Sequence, residues 1–308
     1  MPVHAISPDA LQSALAGKPE TIQGWCSALE AGGVLYFPQT PVPVPSVDLE
    51  ILLGQQQSGS ALHKNIAYKP NRDELTGVDA KSSPAESVRQ LHQIMRRYSA
   101  SVEGFLTRFL APYQKRWVLD YASYRPIEEL NRDLPTRRRN DLLHTDAFPT
   151  RPTRGWRILR FFHNIHPTRT RDWVLGEAFP RVVGNFTPGH LPLPHPDSAL
   201  ARTGKSFARA TGLAALVPQW KRTPYDEFMM RLHNAMKEDS AFQGVCTREY
   251  FQFAPGSSWM VYTETVPHAV LAGQYALEQT FLVDPGAMVT PDSAPIRVLE
   301  KMAGAALV

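Results

Sequence analysis

Apolar positions along this chain follow two different repeats, and the change from one to the other divides it. Residues 8–16 and 19–31 carry apolar side chains three and four apart, the helical spacing. Gly32-Gly33 then break the second pattern before a short apolar run, Val34 to Phe37, that reads as a strand. The Pro-rich PQTPVPVPS from Pro38 to Ser46 reads as a loop. From Ser83 to about Tyr113, Val88, Leu91, Ile94, Tyr98, Val102, Phe105 and Phe109 recur at helical steps. They predict one long helix with Ser83 as N-cap and its stripe against the core.

At Trp117 the texture changes. WVLDYASYR, LLHTDAF from Leu142 and WRILRFFHNI from Trp156 predict strands, and residues 204–216 and 225–237 predict helices. REYFQFA, SSWMVYTE, HAVLAG and YALEQTFLVD return to strand texture, separated by Pro-Gly, Thr-Val-Pro and Gly-Gln turn signals, before a helix-like tail. Closely spaced strands split by a helical insertion predict an α+β fold on a double-stranded β-helix, a cupin-like jelly roll with flanking helices. The expected layout is a single elaborated domain over 1–308: a mostly helical portion to 116, a jelly-roll core over 117–290 with a helical insertion at about 168–246, and a C-terminal helix in 291–308.

With 308 residues and 43% apolar content the chain can bury a large core. MPVHAISPDALQ lacks the basic start, apolar stretch and cleavage site of a secretory signal. No apolar run reaches the roughly 18 to 20 residues of a membrane helix. Cys26 and Cys246 are the only cysteines and show no paired-thiol or zinc-ligand spacing, which fits a reducing cytoplasm. The net charge is +4, but ten arginines crowd between Arg132 and Arg171. Such forks suit carboxylate and phosphate, so an anionic ligand or surface is one reading and a solvated basic face the other. No recognised DNA- or RNA-binding motif occurs, and the overall balance is not strongly basic, which argues against nucleic acid.

His144-Thr145-Asp146 carries the candidate chemistry. Residues two apart on a strand point the same way, so imidazole and carboxylate would converge on one ion. Non-haem iron oxygenases use two imidazoles and one carboxylate on one face of an octahedron, leaving the other face for co-substrate and dioxygen. His268 is the candidate third ligand, because it opens the penultimate strand-like segment after Val266-Pro267. HxD alone is a weak signal, and His195-Pro196-Asp197 is a second instance, set among prolines that preclude a ladder strand.

The stretch DYASYRPIEELNRDLPTRRRNDLLHTDAFPTRPTRGWRILRFFHNIHP, Asp120 to Pro167, resembles the family of 3-deoxy-D-manno-oct-2-ulosonic acid (Kdo) 3-hydroxylases, with RNDLLHTDAFPTRPT its most distinctive block. The resemblance implies an Fe(II)- and 2-oxoglutarate-dependent dioxygenase that uses O2 to hydroxylate C3 of Kdo in Kdo-lipid A, giving succinate and CO2. It carries the iron motif onto His144, Asp146 and His268. The rival readings are an oxygenase of the same fold with another substrate and a non-catalytic cupin-like protein that binds acidic glycans.

Many such oxygenases hold the distal carboxylate of 2-oxoglutarate with a basic residue shortly after the distal histidine, but here that place falls on Gln279. The alternative lies on the strand following HxD, at Arg160, which alternation in WRILRFFHNI groups with Ile158, Phe162 and Asn164. Arg157 takes that role if the register is shifted by one. The alternative for Arg160 is a structural salt bridge to an acid elsewhere in the protein. Arg125, Arg138 and Arg151 flank the motif and are candidates to hold the sugar. A lipid-linked substrate implies a cytoplasmic protein peripherally associated with the inner face of the inner membrane. Its partner there would be an anionic surface; Leu213, Leu216 and Trp220 could add shallow insertion, although ordinary helix packing is the favoured reading of all three.

Overall fold

The computed structural model describes residues 2–55, 65–78, 83–113, 116–187, 189, 191–213 and 218–308. In chain order the elements are β1 (Val3–Ala5), α1 (Pro8–Leu15), α2 (Pro19–Glu30), β2 (Val34–Phe37), α3 (Ser46–Leu53), β3 (Ile66–Lys69), β4 (Glu74–Thr76), α4 (Ala85–Phe109) and β5 (Trp117–Arg125). They continue with β6 (Arg157–Asn164), β7 (Arg171–Leu175), α5 (Phe179–Phe186), α6 (Ala199–Ala210), α7 (Pro224–Glu238), α8 (Ser240–Val245), β8 (Glu249–Phe253), β9 (Ser258–Tyr262), β10 (His268–Ala272), β11 (Ala276–Val283) and α9 (Pro295–Ala303).

The protein is a mixed α+β fold around a large, mainly antiparallel sheet of order β1-β2-β9-β6-β11-β5-β3-β4, in which β1 and β2 run parallel. A three-stranded sheet, β10-β7-β8, is separate in its pairing. Between the two sheets lie Phe162 and Trp259 from one, and Trp173, Phe253 and Val270 from the other. The aromatic rings stack, Phe253 on Trp259 at 3.8 Å and Phe162 on Trp259 at 5.2 Å between centroids. The opposite face of the large sheet is covered by α4, whose Leu91, Ile94, Met95, Tyr98, Val102, Phe105 and Phe109 are buried as the helical spacing predicts. Each such burial contributes about 1.5–3 kcal/mol. A further cluster joins Val174 and Ala269, on the outer face of the small sheet, to α5, α7 and α9.

Several expectations need correcting. The mostly helical N-terminal portion also supplies β1 to β4, half of the large sheet. Ser83 does not cap α4, which begins at Ala85 after Pro84 without a side-chain cap. Of the helix expected at 204–216, the described residues place α6 at Ala199–Ala210, and 214–216, with Leu216, lie outside the described residues. The insertion does not begin at 168, because β7 occupies Arg171–Leu175 and its helices lie between β7 and β8. Nor is LLHTDAF a strand. Only His144 pairs, in an isolated antiparallel bridge with His268. One residue earlier, the Gln243 side-chain amide donates to Leu143 O (2.9 Å) and accepts from Leu143 N (3.1 Å), taking the place of a neighbouring strand.

Candidate metal centre

His144 and His268 face each other across that bridge, with His268 N donating to His144 O at 2.9 Å and His144 N to His268 O at 3.1 Å. Asp146 N donates to Thr263 O at 2.9 Å, so the loop after the bridge is tied to the end of β9. These backbone bonds bring two imidazole nitrogens and a carboxylate oxygen within 4.8 Å of one another. His144 Nε2 is 3.9 Å from Asp146 Oδ1. His144 Nδ1 lies 2.7 Å from Leu142 O and His268 Nδ1 2.9 Å from Val266 O. Only an Nδ1–H can satisfy those carbonyls, so both rings are held in the tautomer that leaves the Nε2 lone pair free for a metal.

Electrostatics keep all three groups deprotonated. Burial, reinforced by the neighbouring His268 ring, pushes His144 well below the usual imidazole range. Burial also lowers His268, against the opposing pull of Asp146. Burial alone would raise Asp146, but the Arg160 guanidinium and then the two imidazoles outweigh it and hold the carboxyl well below its ordinary value. A donor set of two neutral imidazoles and one carboxylate, with free Nε2 lone pairs, fits a ferrous ion.

A small cavity of about 40 Å³ opens on these donors, walled by Phe162, Trp173 and Val270 and lined by Arg125, Asn140, Arg160 and Arg171. The alternation read in WRILRFFHNI has the right register, since Arg160 and Phe162 both face this cavity. Arg160 Nε is 3.1 Å from Asp146 Oδ2, and its Nη1 donates to Glu278 Oε1 at 2.6 Å. Its partners are therefore protein carboxylates, including the metal-site carboxylate itself. Glu278 also accepts from Arg125 Nη2 at 2.7 Å, and despite burial these two guanidinium groups hold it below the usual range.

The other candidates lie apart from the donors. Arg157 is fully buried on the opposite face of β6, paired with Glu264, donating to Thr265 Oγ1 at 2.6 Å and stacked 3.9 Å over Tyr262. Gln279 donates to Asp120 O and Thr280 O at 2.9 Å and does not line the cavity. Neither lines the cavity that opens on the triad. Arg151 pairs with Asp120 and stacks 4.3 Å over Phe148, and Arg138 is exposed on the 3-10 turn Thr136–Arg138. Of the three substrate candidates only Arg125 lines the cavity. The second HxD lies elsewhere, with Asp197 bonded to Lys205 at 2.8 Å.

Sequence reasoning missed Arg171. It begins β7, is 1% exposed, donates from Nη1 to Gly273 O at 3.0 Å, and leaves Nε without a hydrogen-bond partner among the described residues. Its carboxylate neighbour, Glu129, is 3.8 Å away, and burial lowers the guanidinium to about 10. A buried cation so weakly compensated invites an anion. The signal was Arg171-x-Trp173-x-Leu175, an alternation hidden by the turn-rich HPTRTRD before it. His233 on α7 was also missed. Its ring meets His144 edge-on at 5.0 Å, and its Nδ1 lies 2.7 Å from Thr145 O.

No match is found among curated proteins. Among solved structures, the chain is similar to the Kdo hydroxylase KdoO, described as a non-heme Fe(II) alphaketoglutarate-dependent dioxygenase. The complex with alphaketoglutarate and Fe(III) is 31% identical with a TM-score of 0.83, over 100% of this chain and 98% of that one. The cobalt(II) complex is 33% identical with a TM-score of 0.84 over the same shares. The succinate and Fe(III) complex is 32% identical with a TM-score of 0.82, again over those shares. The family model described as 3-deoxy-D-manno-oct-2-ulosonic acid (Kdo) hydroxylase matches residues 12–306, and the chain belongs to that family.

Proposed function

We propose that this protein is a non-haem Fe(II)- and 2-oxoglutarate-dependent dioxygenase that hydroxylates Kdo, with His144, Asp146 and His268 as its iron ligands. The observation that carries the reading is the pair of Nδ1-anchored imidazoles whose free Nε2 atoms meet one carboxylate at the floor of an arginine-lined cavity. Iron with 2-oxoglutarate and dioxygen supplies a one-oxygen oxidation, with succinate and carbon dioxide as co-products. The chain's part is to position. Arg160 braces the outer oxygen of Asp146, and Glu278 braces Arg160 and Arg125 together. Arg171, rather than the already paired Arg160, receives the distal carboxylate of 2-oxoglutarate.

The finer reading is C3 hydroxylation of Kdo in Kdo-lipid A by one jelly-roll domain working on the inner face of the inner membrane. Two facing sheets with an aromatic layer between them support the jelly roll. Arg125 at the cavity, with Arg151 and Arg138 further out, would orient the anionic sugar. Selectivity then rests on holding one carbon nearest the metal.

Incubation with Fe(II), 2-oxoglutarate and Kdo-lipid A should add one oxygen to the lipid. His144→Ala, Asp146→Ala and His268→Ala should abolish both this and iron retention. Iron-dependent succinate release without any change in the lipid would sink the substrate assignment. Equal iron content in His144→Ala and the native chain would sink the metal site. For Arg171, titration followed by the visible charge-transfer band of a ferrous keto acid chelate should show 2-oxoglutarate binding about 10- to 100-fold more weakly to Arg171→Gln. Binding of 2-oxovalerate, which lacks the distal carboxylate, should hardly change.

A further inference from the structure

We infer that the outward face of α6 and the adjoining 3-10 turn Pro218–Lys221 is a docking surface for an anionic lipid bilayer. Helices on a globular protein turn their large apolar side chains inward, and α6 does the reverse. Ala201 and Ala208 face the protein, Ala208 being 4% exposed, whereas Leu200 is 84% and Phe207 63% exposed, seven residues apart on one side. Leu213 (44%) and Trp220 (42%) extend the exposed apolar set beyond the helix.

The segment that carries them is basic. Between Asp197 and Asp226 the chain carries Arg202, Lys205, Arg209, Lys221 and Arg222 and no acidic residue. Lys205 is committed to Asp197 at 2.8 Å, and Arg202 stands exposed beside the apolar set. Protruding Leu, Phe and Trp in a segment rich in cations match the boundary between anionic headgroups and acyl chains. A protein groove would be expected to meet such cations with carboxylates and to accept the apolar residues as one packed stripe.

The surface is also tied to the metal centre. Arg222 donates to Pro149 O at 2.6 Å, three residues beyond Asp146. α7, which starts at Pro224, carries His233 to the His144 ring. A bilayer held at α6 would therefore lie against the segment that leads to the cavity. This deepens the reading of a lipid-borne sugar substrate and takes from it only the reason for meeting a membrane, because vesicle binding needs no catalysis.

Flotation of the full chain with vesicles of phosphatidylglycerol and phosphatidylcholine, against pure phosphatidylcholine, tests it. Binding to the anionic vesicles is expected, with loss as salt rises. Phe207→Asp with Trp220→Asp, and separately Arg202→Glu with Lys221→Glu, should each weaken partitioning at least tenfold while the ferrous keto acid band stays intact. Wild-type binding that ignores lipid charge, or variants that bind like wild type, overturn the inference. So does a lipid-free dimer that Phe207→Asp dissolves, which would make the face a contact between copies. Normal vesicle binding with no oxidation of a Kdo lipid leaves the docking surface standing and removes the catalytic reading. Oxidation without vesicle binding does the opposite.

Discussion

His163 shows how one buried side chain sets a pH dependence. It sits on β6 facing away from the metal, is 3% exposed and has no partner for Nδ1 among the described residues, and burial lowers its pKa to about 4. The ring is neutral in the fold, whereas an unfolded histidine titrates near about 6.5. The contribution to stability is therefore fully present above that pH and is lost as pH falls toward 4, by up to about 3 kcal/mol. His163→Gln should lose about 2 kcal/mol less than wild type between pH 7 and pH 4.5 in urea unfolding. An equal loss in both proteins would show that the ring is not held neutral. Gly273 is as specific. Its φ of 130° and the 2.8 Å that would separate an added Cβ from Arg171 Cγ leave no room for alanine. Gly273→Ala should displace the guanidinium and weaken 2-oxoglutarate binding about tenfold or more, measured by the same chelate band, while 2-oxovalerate binding is spared.

At the scale of elements, α7 is held by one carboxylate. Asp226 Oδ2 accepts from Thr223 N and Thr223 Oγ1, closing a capping box, and Oδ1 accepts from Thr153 N at 2.8 Å and Arg154 N at 3.0 Å. Asp226→Ala removes a cap and leaves two loop N–H groups unpaired, a loss of about 2–4 kcal/mol. The urea midpoint measures it, and a shift no larger than that of Thr223→Ala would mean the loop bonds are idle. Elements with a strong repeat were legible from sequence: α1, α2, α4 and α7, and the strands β5, β6, β9 and β11, lie within a few residues of their expected spans. Elements defined by tertiary partners were not. Nothing in LLHTDAF reveals that Gln243 replaces its neighbour, and β7 is visible only once β10 and β8 flank it.

Over the whole molecule, the metal triad was readable because a short spacing and one distant histidine carry it. The surrounding charge was not readable. The arginine cluster looked like a basic surface, yet Arg137 pairs with Glu238, Arg139 with Asp141, Arg151 with Asp120, Arg157 with Glu264 and Arg169 with Glu128. Composition cannot tell paired arginines from free ones, and the cations that the proposed docking surface uses lie instead in the insertion. Because the donors are buried and already deprotonated, metal binding should stabilise the fold without much rearrangement. Cobalt(II) at about a hundred times its dissociation constant should add about 2.7 kcal/mol, seen as a rise in Tm that His268→Ala lacks. Their lowered pKa values mean that this gain should survive mild acidification below pH 6.5; its complete loss there would contradict the burial-driven depression of His144 and His268.

The ladder between β7 and β10 carries one more consequence. His268 stands opposite Leu175, and Arg171 lies four residues further along the same strand and on the same face as Trp173. That offset is roughly 14 Å of backbone at about 3.4 Å per residue, spanned inward from each end by an imidazole and a guanidinium. With Arg171 as the proposed anchor, the two strands would act as a fixed gauge, and the dicarboxylate fitting between iron and arginine would be chosen by length. Oxaloacetate and 2-oxoadipate, one carbon shorter and longer, should chelate more weakly than 2-oxoglutarate in wild type, and Arg171→Gln should erase that ranking.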